Sequence, residues 1–267
     1  MYTITLEDFQ IEQIARSGQC FRLNPLEEDG FSLIAGADYL EITQTGNQVT
    51  FSCEKEEWDG RWKLYFDCDR DYGMIKRSID PKDSYLTGAA QKGWGIRILK
   101  QDVWEMIITF IISQQNNIPR IRKCVEAICK AYGDCRQNPK GESYYLFPTP
   151  KALAQASEEE LRALNLGYRS KYIAKTARMI TDGEIVLETL DTMPYEKAKT
   201  ELMKLCGVGR KVAECICLFG LHHVEAFPVD THIQKVLSNW YPDGFPFERY
   251  EGYAGILQQY IFYNDLL

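Results

Sequence analysis

The sequence ELMKLCGVGRKVAECICLFGLHHVEAFPVDTHI, residues 201–233, carries the most specific pattern in the chain. Apolar residues recur at helical spacing on both sides of Gly207 and Gly209, which predicts two helices joined by a glycine turn. Glycine permits positive φ and leaves backbone N–H groups uncovered, so we expect the turn to bind a phosphate at the start of the second helix. Lys211 lies in the first turn of that helix, and Asp230 is predicted to be the N-cap of another helix.

The rest of the chain divides into two regions with different apolar periodicity. Residues 1–97 contain short alternating runs that break at Gly46-Asn47, a hairpin signal. Residues 98–267 show helical spacing, with the helix-hairpin-helix at about 195–220. The predicted fold is α+β: a β-rich N-terminal domain with an antiparallel sheet, followed by a mostly helical body. Within the first region, Glu54–Asp69 is predicted to be mixed loop and strand.

The composition restricts the class of protein. The chain has 267 residues, of which 45% are hydrophobic and 26% charged, as in ordinary globular proteins. No apolar run is long enough for a membrane span, and the N-terminus MYTITLEDFQ has no secretory signal, so a cytoplasmic location is expected. The nine cysteines are expected to be reduced, and their spacing does not fit a zinc finger. Neither a metal nor a cofactor is predicted.

The net charge of −7 argues against a protein that coats DNA nonspecifically, but a local basic face remains compatible with it. Two clusters are candidates for such a face, and solvated helix surfaces are the alternative explanation for both. The clusters are Arg120, Arg122, Lys123 and Lys130, and then Arg162, Arg169, Lys171, Lys175 and Arg178.

The segments LCGVGRKVA and VDTH, at this separation, resemble the helix-hairpin-helix DNA glycosylases that carry a Gly/Pro-rich loop and an invariant aspartate (HhH-GPD). They are most similar to the 8-oxoguanine DNA glycosylase/AP lyase branch. The resemblance implies a monomeric repair enzyme that acts on double-stranded DNA containing 8-oxoguanine. One departure is Cys206, where the family usually has proline.

The catalytic residues implied by this resemblance are Lys211 and Asp230. A neutral lysine can attack the anomeric carbon, displace the base and form a Schiff base that permits β-elimination. The positive end of a helix disfavours an ammonium group in its first turn, which suits Lys211 to this role. Asp230 can stabilise the positive charge that develops on the sugar. His232 matches the family position that contacts a phosphate near the flipped nucleotide.

The residues that would contact the damaged base come from three separate segments. Gly18, in SGQCFR, is expected to accept a hydrogen bond from N7–H of 8-oxoguanine through its carbonyl. Cys215 follows Lys211 by one helical turn and is expected to lie against the base. The match AGILQQYIF places Gln258 on the Watson–Crick edge and Phe262 on the ring face.

A further group of residues is expected to hold the DNA around the vacated position. By resemblance, Arg120 and Arg169 read the opposite cytosine, Tyr168 wedges the duplex, and Arg162 is an additional recognition arginine. Gln115 occupies the position of the asparagine that fills the gap in the family, with Asn116 beside it. This substitution is a second departure from the family pattern.

Two other functions remain as alternatives at this stage. One is an endonuclease III-like glycosylase. That group usually ends in a four-cysteine iron–sulfur cluster, which this chain would lack because no cysteine follows Cys217. The other is a helix-hairpin-helix module that binds DNA without catalysis, although the presence of both Lys211 and Asp230 speaks against it.

Overall fold

The structure is a computed structural model that describes residues 1–266 of the chain. The strands are β1 (Tyr2–Thr5), β2 (Leu23–Pro25), β3 (Phe31–Ala35), β4 (Asp38–Thr45), β5 (Gln48–Phe51), β6 (Cys135–Gln137) and β7 (Ser143–Tyr145). The helices are α1 (Ile11–Arg16), α2 (Lys55–Glu57), α3 (Lys63–Tyr65), α4 (Tyr72–Arg77), α5 (Ser84–Lys92), α6 (Val103–Ser113), α7 (Ile118–Tyr132), α8 (Pro150–Gln155), α9 (Glu158–Leu161), α10 (Arg169–Thr181), α11 (Leu187–Leu190), α12 (Tyr195–Leu202), α13 (Arg210–Phe219), α14 (Thr231–Trp240) and α15 (Ala254–Leu266). Two π-helical turns span Trp58–Trp62 and Arg162–Leu166, and a 3-10 turn spans Phe247–Tyr250.

The chain forms two compact units, of which the first contains Met1–Leu33, Leu40–Lys100 and the segment that begins at His222. Five strands form a sheet in the order β1-β5-β4-β3-β2. The predicted hairpin is confirmed, because Thr45 pairs with Gln48 across the turn at Gly46-Asn47. The α+β prediction is also confirmed by this antiparallel sheet and the largely helical remainder.

The prediction for Glu54–Asp69 was wrong, because the segment is helical. It forms α2, a π-helical turn and α3 in succession. Trp58, Trp62 and Phe66 recur every four residues and are fully buried, which is the period of a helix face. Trp58 packs on Phe51 of β5 with ring centroids 4.4 Å apart. The aromatic face therefore anchors this helical segment on the sheet.

The second unit contains Ile34–Tyr39 and Gln101–Leu221. Its centre is α6, whose residues from Trp104 to Ile112 are all buried. Helix α13 packs on α6, with the rings of Phe110 and Phe219 stacked 5.5 Å apart. Helices α8 and α10 pack together beside them. These two units are defined by contacts, and each combines separate stretches of the chain. The domains 1–97 and 98–267 are consecutive stretches defined by sequence pattern, and that division stays a prediction.

Candidate active site

The predicted helix-hairpin-helix is present as α12, a glycine turn and α13. Gly207 has φ +83°, and a Cβ added there would lie 2.5 Å from the ring of Tyr172, so only glycine fits. The turn is held by neighbours that bond its carbonyls: Gln114 Nε2 donates to Gly207 O at 3.0 Å, and Thr176 Oγ1 donates to Cys206 O at 2.9 Å. Cys206 thus occupies the usual proline position in a turn that is fixed from outside.

The start of α13 is open to an anion. Gly209 is the N-cap residue and contributes no side-chain hydrogen bond to the helix. The first N–H groups of α13 are therefore left for an external acceptor, as the phosphate prediction requires.

Lys211 is half-buried in the first turn of α13. Its Nζ lies 5.8 Å from the ring centroid of Phe110 on α6. The preceding Arg210 is instead paired with Glu214, at 3.0 Å from Nε to Oε1. Among the described residues of the second unit, which contains Lys211, no carboxylate pairs with its ammonium group. Cys215, one turn further along, is buried.

Asp230 is the N-cap of α14, as predicted. Its Oδ1 accepts a hydrogen bond from the backbone N–H of Ile233 at 2.9 Å. Within residues 1–266, Oδ2 makes no hydrogen bond and the side chain is half-buried. One oxygen therefore fixes the carboxylate while the other stays available to a positive charge.

His232, in the first turn of α14, is held by a residue that the sequence reasoning missed. Its Nδ1 lies 2.7 Å from Oδ2 of Asp265, and Lys235 Nζ lies 3.3 Å from Oδ1. Burial opposes ionisation of Asp265, but the hydrogen bonds from His232 and Lys235 outweigh it and lower the pKa of this carboxyl. The helical spacing of Phe262 and Asp265, three residues apart on α15, was the available signal.

Two of the predicted base-contacting residues lie on α15. Gln258 is buried and donates from Nε2 to Pro228 O at 3.1 Å, while its Oε1 has no hydrogen-bond partner among the described residues. Phe262 is half-buried and meets the ring of His232 edge to face, at a centroid distance of 5.7 Å. Gly18 follows α1 with φ +75°.

The predicted opposite-base arginines differ in how they are bonded. Arg120 is exposed, and its Nη2 donates to Asn165 O at 3.3 Å. Arg169 is 4% exposed, and its guanidinium donates to the carbonyls of Gln114, Gln115 and Leu166.

The other residues predicted to hold the surrounding DNA are Gln115 and Asn116, between α6 and α7, and Arg162 and Tyr168, between α9 and α10. Tyr168 is 43% exposed, and Gln115 is exposed with φ +47°. Asn116 bonds back to Ile112 O at 3.0 Å, and Arg162 pairs with Glu158 at 2.7 Å.

The predicted residues thus form one group in each unit. The first unit carries Gly18, Asp230, His232, Gln258 and Phe262. The second carries Lys211, Cys215 and the residues predicted to hold the surrounding DNA other than His232. Within residues 1–266, no cluster of three or more His, Cys, Asp or Glu side chains could hold a metal ion. No helix in the same residues is long and apolar enough to cross a membrane.

Two family profiles match consecutive parts of the chain. Residues 1–107 match "8-oxoguanine DNA glycosylase, N-terminal domain", and residues 108–244 match "HhH-GPD superfamily base excision DNA repair protein". The chain belongs to the HhH-GPD superfamily. Within that superfamily it is a member of the 8-oxoguanine DNA glycosylase/AP lyase branch.

Individual HhH-GPD proteins agree with this placement. The crystal structure of Clostridium acetobutylicum 8-oxoguanine glycosylase/lyase with double-stranded DNA containing cytosine opposite 8-oxoguanine is 36% identical, with a TM-score of 0.91. The match covers 97% of this chain and 92% of that one. A probable N-glycosylase/DNA lyase of Methanothermobacter thermautotrophicus is 28% identical over 90% of this chain and 85% of its own.

The Saccharomyces cerevisiae N-glycosylase/DNA lyase is 40% identical over 55% of this chain. The match spans only 42% of the yeast protein.

Proposed function

We propose that the protein is a bifunctional repair enzyme that excises 8-oxoguanine from double-stranded DNA and then cleaves the strand. The observation that carries the proposal is the retention of Lys211 and Asp230 at the motif positions of an 8-oxoguanine glycosylase/lyase family member. A DNA-binding module without catalysis could use a lysine to contact phosphate, so it is the presence of Lys211 together with Asp230 that speaks against this alternative.

The first chemical step breaks the bond between C1′ and N9 of the flipped nucleotide. The amine of Lys211, in its neutral form, forms a bond to C1′, and the base leaves with the bonding electrons and takes up a proton. Positive charge grows on the sugar during this step, and the ionised carboxylate of Asp230 stabilises it electrostatically. Its Oδ1 is already fixed by Ile233 N–H, so little reorganisation is needed.

The second step cleaves the strand. Loss of a proton from the lysine adduct and opening of the sugar give a Schiff base between Lys211 and C1′. Removal of a proton from C2′ then expels the 3′ phosphate by β-elimination. His232, held by Asp265, is proposed to contact a phosphate beside the flipped nucleotide.

The selectivity of the enzyme is proposed to arise at two places. Gly18 O accepts from N7–H, a donor that guanine lacks, and Gln258, Phe262 and Cys215 contact the rest of the base. Opposite the lesion, Arg120 and Arg169 read cytosine. Arg120 gives up a long hydrogen bond of 3.3 Å to Asn165 O to do so, whereas Arg169 must exchange several carbonyl partners.

The proposal is tested by single-turnover reactions with enzyme in excess over a duplex that contains one 8-oxoguanine opposite cytosine. We expect release of the free base and a nicked strand with the β-elimination end, and no reaction with a matched guanine duplex. Binding without base release would favour the non-catalytic module. Release of oxidised pyrimidines in preference to 8-oxoguanine would favour the endonuclease III-like alternative.

A further inference from the structure

The segment that carries Gly18 is held by hydrogen bonds on both of its flanks. Ser17 and Gln19 are completely buried, while Gly18 is partly exposed. Gln19 Nε2 donates to Ser17 Oγ at 2.9 Å and to Arg97 O at 2.9 Å, and Gln19 Oε1 accepts from Leu99 N at 2.8 Å. The carbonyl of Gly18 has no hydrogen-bond partner among the residues that the structure describes.

A glycine needs this support if its carbonyl is to read a base. Without a Cβ, Gly18 can rotate about both backbone dihedrals with little steric restraint. Its φ of +75° is one of several accessible values, and another value would turn the carbonyl away from a bound base. The restraint on this carbonyl must therefore come from the peptide groups next to it.

The peptide group before Gly18 is restrained by Gln259, whose Nε2 donates to Ser17 O. Gln259 is only 2% exposed and lies 242 positions away in the sequence, on α15. The next residue towards the N-terminus is Gln258, the proposed reader of the Watson–Crick edge. One helix thus presents a base-contacting glutamine and a second glutamine that restrains the Gly18 segment.

We propose that Gln259 is a positioning residue for lesion recognition. By holding the Ser17 carbonyl, it fixes the plane of the Ser17–Gly18 peptide and thereby the direction in which the Gly18 carbonyl points. This inference rests on the proposed function, in which that carbonyl accepts from N7–H of 8-oxoguanine. Gln259 itself contacts neither the base nor the sugar.

The proposal predicts which activity depends on Gln259. Excision of 8-oxoguanine requires the Gly18 carbonyl, whereas cleavage at a preformed abasic site has no base to read. A loss of positioning therefore lowers the first activity and spares the second. A side chain that only stabilised the fold would affect both activities together.

Gln259→Met tests this dependence because methionine has a similar length and no donor. Single-turnover rates are measured for 8-oxoguanine opposite cytosine and for an abasic site opposite cytosine. We expect the ratio of the two rates to fall by about tenfold or more, as for a buried hydrogen bond left unmade. Tyr260→Phe is the matched control on the same helix, since the buried Tyr260 hydroxyl has no partner in residues 1–266. Its ratio should stay within about twofold of wild type.

Gln259→Glu keeps the side-chain shape and serves if the methionine variant folds poorly. A protonated glutamic acid can donate to Ser17 O, whereas the carboxylate cannot. We expect the ratio of the two rates to rise as the pH is lowered, relative to wild type at each pH. A double-mutant cycle with Gly18→Ala adds a second readout, because the effect of Gln259→Met should largely disappear in the alanine background.

The outcomes separate the two proposals. If the wild type does not release 8-oxoguanine, the proposed function is wrong. If the wild type is active but Gln259→Met leaves the ratio unchanged, or lowers both rates equally, the role of Gln259 is wrong. A Gln259→Glu ratio that does not respond to pH, or full additivity in the cycle, also contradicts it.

Discussion

Arg169 donates from Nε to the carbonyl of Gln114 at 2.9 Å, and this contact closes the C-terminal end of α6. The same guanidinium donates to Gln115 O at 3.0 Å, and Gln115 itself has a φ of +47°. A non-glycine residue in this region is uncommon and persists where its surroundings hold it. Arg169 therefore has a structural task in addition to any contact with DNA.

Arg169→Ala should destabilise the protein, because it removes the donor to the buried carbonyl of Leu166 and to the partly buried carbonyls of Gln114 and Gln115. We expect a loss of about 1–3 kcal/mol in the free energy of unfolding, together with slower excision opposite all four bases. Arg178→Ala, an exposed arginine on the same helix α10, is the control and should change little. Denaturant melts and single-turnover assays measure the two effects. An Arg169→Ala variant with wild-type stability would rule out the structural task.

Arg120→Ala should weaken discrimination between opposite bases while leaving the fold intact, because Arg120 is exposed and its hydrogen bond to Asn165 O is long, at 3.3 Å. A good base contact discriminates by about 1–3 kcal/mol, so the preference for cytosine should fall by roughly tenfold or more. Excision is compared opposite each of the four bases, with Lys123→Ala on the same helix as control. An unchanged strong preference, or equal excision opposite adenine and cytosine by the wild type, contradicts this role.

Gly18→Ala should reduce 8-oxoguanine excision much more than abasic-site cleavage, because a methyl group and a shifted backbone disturb the reading carbonyl. Alanine is also strained at φ +75°. Gly46→Ala is a matched control, since Gly46 has φ +58° and open space around a Cβ. Equal losses on both substrates in Gly18→Ala would mean that the glycine serves the fold alone.

His222 should make stability depend on pH. Burial lowers its pKa, with only partial compensation from the Asp67 carboxylate, and its Nε2 lies 3.1 Å from Ile98 O. The unfolded chain therefore binds a proton at a higher pH than the folded chain does. Stability should be full above the ordinary histidine pKa of about 6.5 and decline as the pH falls towards the lowered folded value. Denaturant melts between about pH 8 and pH 5 should show a smaller decline in His222→Gln, and an equal decline contradicts the assignment.

Short-range patterns were sufficient for much of the fold and part of the candidate site. The glycine turn and the Asp230 cap both follow from signals within a few residues, and the structure has each of them. The contact between Gln259 and Ser17 could not be predicted, because it joins residues 242 positions apart. The carbonyl partners of Arg169 could not be predicted either, because every residue has a backbone carbonyl and the sequence does not show which one accepts a hydrogen bond.

Lys211 is proposed to form a covalent bond to the sugar of the damaged nucleotide, and the whole proposed reaction depends on this bond. Borohydride reduces a Schiff base to a stable amine, so incubation with 8-oxoguanine duplex and borohydride should convert wild-type enzyme into a covalent protein–DNA complex. Lys211→Gln should still bind the lesion duplex but give neither the complex nor free base. Efficient trapping of purified Lys211→Gln, or no trapping of an active wild type, would contradict the account.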